Sequence, residues 1–155
     1  MTTGFDRRTE HGSDDPGAIR SIAVTVDDVV TALEARQRGD TEAVLRVTPP
    51  FAGRMRARLH VVSGEGASDG GAEPIHFRPE RFVDPDVSSV PTVDETADEL
   101  RARGEYSVDD HRAFHADVVE SWRETVREAL VEQVTVETAA ASHAVTVKYL
   151  DGQRE

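Results

Sequence analysis

The run Arg54-Met55-Arg56-Ala57-Arg58-Leu59-His60-Val61-Val62 alternates between basic and apolar side chains. A period of two belongs to an extended strand, whose successive side chains point to opposite faces. Met55, Ala57, Leu59 and Val61 are thereby assigned to a core, and Arg54, Arg56, Arg58 and His60 to the other face. A chain containing such a strand must build a sheet that is apolar on one side and basic on the other.

The flanking segments extend that sheet. Leu45 and Val47 alternate with Val44, Arg46 and Thr48 until Pro49-Pro50-Phe51-Ala52-Gly53 breaks the run, so the two stretches read as a hairpin. Ile75-His76-Phe77-Arg78, ended by Pro79, reads as a third strand, and Arg46, His76 and Arg78 are placed to join the basic face. Ile22, Val24 and Val26 mark an earlier strand, and residues 143–150 a final one.

Helix starts and stops are as legible. Thr25 with Asp28 resembles a capping box, opening a helix that carries Val29, Val30 and Leu33 on one face and stops at Gly39. Thr92 with Glu95 opens a short helix to about Arg103, with Gly104 as its stop. Ser107 with Asp110 opens the longest element, expected to run from Val108 to Gln133. Phe114, Val118, Trp122, Val126 and Leu130 form its apolar stripe, with Trp122 as the anchor where this helix meets the sheet. This order predicts an α+β fold: a small, mainly antiparallel sheet of about three to five strands, with a long helix in the C-terminal half and shorter helices packed on one face. Residues 1–17 read as a disordered tail, Ser63–Glu73 as a flexible loop, and residues 18–152 as a single domain.

Charge constrains the setting. Thirty acidic residues face eighteen Lys and Arg, of which only Lys148 is a lysine, leaving −12 on 155 residues. That repulsion strains a compact state unless ions screen it. At about 1 M salt the Debye length is only about 3 Å, so the composition points to a salt-loving cytoplasm. The absence of cysteine removes disulfides, thiolate metal sites and thiol nucleophiles together. No apolar run is long enough to span a membrane, and Met1–Pro16 has no apolar signal core, so a cytoplasmic location is expected.

Two groups of residues are candidate sites. Arg46, Arg54, Arg56, Arg58, His60 and Arg78 form a basic face in an acidic molecule, and guanidinium forks match carboxylate and phosphate geometry. Such a face binds an anionic or protein partner, a second copy included, unless its arginines are paired with the chain's own carboxylates, for instance those of the Asp27–Arg38 helix. Nucleic acid fits less well, because sheet-based RNA readers stack bases on aromatics that this face lacks, and salt weakens phosphate contacts. The alternative site is His111 and His115, four residues apart on one helix side, as a zinc site or a metal-dependent hydrolase requires. No third ligand is local and both fall on the apolar stripe, so structural histidines are the simpler reading. No nucleophile elbow, phosphate loop or HExxH motif is present, so no cofactor is expected and a binding module is favoured over an enzyme.

The segments Ser21–Ala35 (SIAVTVDDVVTALEA), Arg46–Val61 (RVTPPFAGRMRARLHV) and Gly104–Val126 resemble the uncharacterised conserved proteins of halophilic archaea, a domain-of-unknown-function type. That resemblance implies a soluble cytoplasmic protein and carries over no functional residues.

Overall fold

The structure, a computed structural model, describes residues 14–39, 41–62, 73–138 and 141–150. Residues 1–13 of the expected 1–17 tail and nearly all of the Ser63–Glu73 loop lie outside these residues, whereas residues 14–17 are described and enter a 3-10 turn capped by Asp15. After a 3-10 turn at Pro16–Ala18 come β1 (Ser21–Thr25), α1 (Val26–Arg38), β2 (Ala43–Val47), β3 (Arg54–Arg56), β4 (Arg58–Val61) and β5 (Ile75–Phe77). A second 3-10 turn at Pro79–Phe82 leads to α2 (Val93–Arg103), α3 (Val108–Glu128), β6 (Gln133–Glu137) and β7 (Ser142–Leu150). The fold is α+β, with a long helix in the C-terminal half.

The helix boundaries follow from their caps. Thr25 accepts the Asp28 amide at 3.1 Å, and Gly39 closes α1 in the left-handed region at φ 81°. Thr92 and Glu95 form a complete capping box on α2, which Gly104 ends at φ 76°. Ser107 accepts the Asp110 amide to open α3. The long helix stops at Glu128, short of the expected Gln133, because the chain then turns into β6. There Val134 and Val136 are buried while Gln133, Thr135 and Glu137 are exposed. That strand is absent from the sequence-based reading.

The strands pair in two sheets, in the order β3-β1-β7-β6 and β4-β2-β5. β1 runs parallel to both β3 and β7, and the other ladders are antiparallel. The run from Arg54 to Val62 belongs to both sheets. The Ala57 amide donates to Ala23 of β1 at 2.9 Å, whereas the Val62 amide donates to Glu42, just before β2, at 3.0 Å. In extended chain, odd and even residues offer their amides to opposite edges, so one seam strand joins β1 on one side to β2 on the other.

The inner face of both sheets carries Ile22, Val24, Leu45, Val47, Phe77, Val145 and Val147, in one cluster with Val29, Val30 and Leu33 of α1. α3 reaches this core by packing on α1 and α2, and a forked ion pair fixes it there. Arg123 donates through Nε and Nη2 to the two carboxylate oxygens of Glu34, each at 3.0 Å. Trp122 is buried, but its indole donates to the Ser88 carbonyl at 2.9 Å. It therefore seals the irregular 83–91 segment, where the sequence pointed to a direct helix–sheet anchor.

Candidate anion-binding face

Cross-strand register places the basic residues. Arg46, on the central strand of the three-stranded sheet, lies opposite Arg58 on β4 and opposite His76 on β5. His60 lies opposite Val44, and Arg78 follows β5 at the start of the 3-10 turn. On the other sheet, Arg54 and Arg56 lie opposite Ser21 and Ala23 of β1. Register thus puts Arg46, Arg58, His60 and His76 on one face of the three-stranded sheet, and Arg54 and Arg56 on the face of β1 that carries Ser21 and Ala23. The alternation overstated the core on the other side: Leu59 and Val61 are 37% and 51% exposed. β4 is an edge strand, and there its inward side chains have neighbours on one flank only.

The row Arg58–Arg46–His76 puts one guanidinium opposite another at Arg58 and Arg46, an arrangement that destabilises a sheet. Arg46 Nη1 lies 3.1 Å from Nδ1 and 3.2 Å from Nε2 of His60, so it donates to whichever ring nitrogen is unprotonated. The His60 ring stacks on His76, with centroids 5.5 Å apart. Burial, His60 and Arg46 together hold His76 below its usual range, against an opposing pull from Glu73. The Nε atoms of Arg46 and Arg56 are buried and have no hydrogen-bond partner.

Apart from the longer-range pull of Glu73 on His76, no carboxylate stands at ion-pair distance from this face among the described residues. Ion pairs among the described residues involve the helices: Arg36–Glu80, Arg38–Glu34, Arg101–Asp98, Arg103–Glu99, and the contacts of Arg123 and Arg127 with Glu34, Glu120 and Asp27. The acids of α1, the obvious internal partners for the strand arginines, are engaged there. Asp28 instead accepts the Leu59 amide at 3.3 Å.

His111 and His115 converge on a hydroxyl. His111 Nε2 and His115 Nδ1 each lie 2.9 Å from Oγ1 of Thr96, a buried residue of α2. Both rings are half-buried at the open end of a seam that continues through Val119, Trp122 and Val126. Val119 is thus the buried residue where the stripe predicted Val118. Burial, then His111 and Arg38, lower the His115 pKa, against Glu34. Zinc at this pair would have to displace the Thr96 hydroxyl, and among the described residues no three His, Asp or Glu side chains stand close enough to hold a metal ion.

These features define an α+β domain whose helices cover one side of a two-part sheet and whose other side is basic. The chain belongs to DUF8009, a domain-of-unknown-function family whose model matches residues 8–151. No curated protein and no solved structure matches the chain. Among the described residues no helix is long and apolar enough to cross a membrane.

Proposed function

We propose that this domain is a non-catalytic binding module that takes an anionic partner on the outer face of its sheet and works in a salt-rich cytoplasm. The observation carrying this reading is the Arg58–Arg46–His76 row, which has no carboxylate within ion-pair distance among the described residues, Glu73 acting on His76 only from farther off. An anion from outside relieves the cross-strand repulsion, and arginine forks give it two-point contacts. The excess of acidic residues and the near-absence of lysine support the salt-rich setting.

Titration with inorganic tripolyphosphate, followed by calorimetry, tests the row. Binding is expected to weaken about tenfold in the exposed-site variant Arg58→Ser, which removes one forked contact. It should tighten as pH falls, because an anion beside His76 favours the protonated ring and so couples binding to proton uptake. Equal affinity in wild type and variant, or no binding by wild type, would contradict the reading.

A further inference from the structure

The geometry points to a second subsite on the same outer face, a trough along β1 that takes an extended run of Asp or Glu from a partner polypeptide. This inference rests on the reading of the outer face as a binding surface, but it uses other residues. Register sets the trough in two rows: Arg54–Ser21–Thr146 and Arg56–Ala23–Lys148. Its floor is the small side chains of β1, and its walls are the longer ones of β3 and β7. Lys148, Thr146 and Arg54 are exposed, and Arg56 is half-buried with its Nε unpartnered. The chain's only lysine thus stands across β1 from an arginine, and neither has a carboxylate at ion-pair distance among the described residues.

Spacing selects the occupant. Strands lie about 4.8 Å apart, so the two walls are separated by about 10 Å at their backbones, wide enough for one extended chain above the floor. Same-face residues recur about every 6.7 Å along a strand. An extended peptide has that same repeat, so its carboxylates at i and i+2 meet Arg54 and Arg56 in step while i+1 turns toward Lys148. The hydroxyls of Ser21 and Thr146 are available to its backbone. A single-stranded nucleic acid is the poorer fit, since sheet faces that bind it stack its bases on aromatics. The outer-face rows here contain no Phe, Tyr or Trp.

The test uses the whole chain at a fixed ionic strength and titrates hexaglutamate, tripolyphosphate and a six-residue oligothymidylate. Hexaglutamate should bind, and Lys148→Gln and Arg56→Gln should each weaken it about three- to fivefold. Tripolyphosphate affinity should be unchanged in Lys148→Gln. Because Lys148 is exposed, that variant keeps the comparison valid even if Arg56→Gln perturbs folding. Hexaglutamate binding untouched by Lys148→Gln, or tighter binding of the oligothymidylate, would overturn the trough and leave the Arg58–Arg46–His76 reading standing. Failure of wild type to bind either hexaglutamate or tripolyphosphate would overturn both.

Discussion

Thr96 shows how a single hydroxyl can satisfy two titratable groups. Its oxygen has one proton to give and two lone pairs, so it can donate to one of His111 and His115 while accepting from the other, or donate to the Val93 carbonyl at 3.2 Å and accept from both. Protonating both rings removes the first option and places two cations side by side, with ring centroids 6.0 Å apart. His115 has a pKa lowered from its ordinary 6.5 in the fold, so the unfolded chain takes up the proton more readily. Its contribution to stability is therefore complete above that ordinary value and is lost as pH falls through the folded one. Thermal melts from about pH 7.5 to about pH 5 should show falling stability, with a shallower slope in His115→Gln. Identical slopes in the two proteins would contradict this account of the α2–α3 contact.

At the scale of elements, whatever depends on neighbours in sequence was legible, and whatever depends on distant partners was not. Thr25, Thr92 and Ser107 begin helices as their side chains dictate, and Gly39 and Gly104 end two of them in the left-handed conformation, which glycine alone adopts without a Cβ penalty. The seam strand was visible as period-two alternation, but its division at Ala57 between two sheets was not, because only the distant β1 and β2 decide which edge is paired. β6 could have been found. Val134, Thr135 and Val136 are β-branched and alternate in burial, yet they follow a helical run with no glycine or proline between, so the helical period was carried too far. The basic residues of the candidate face were legible as a list. Their cross-strand rows, and Lys148 as a neighbour of Arg56 across Ala23, needed the parallel register of β1.

Over the whole molecule, charge is sorted by layer. The helical side carries the ion pairs among the described residues, while the outer sheet face keeps cations without them. This sorting explains how a chain of net charge −12 presents a basic surface. The excess acid elsewhere still repels itself, so lowering KCl from about 2 M to about 0.05 M should reduce the melting temperature, as longer-range repulsion is unmasked. A melting temperature independent of KCl would remove the argument for a salt-rich setting and leave the binding face unaffected.

On the proposed reading, the outer cations are left without ion pairs for an anion from outside, at a cost to the fold. Thermal unfolding of Arg58→Glu, with tripolyphosphate titrated into the same protein, tests this most directly. The variant puts a carboxylate opposite Arg46, replacing repulsion with a cross-strand pair worth about 0.2–1 kcal/mol. The account predicts a melting temperature raised by roughly 1–4 °C, together with loss of tripolyphosphate binding. A variant that melts lower and binds tripolyphosphate as wild type does would contradict it.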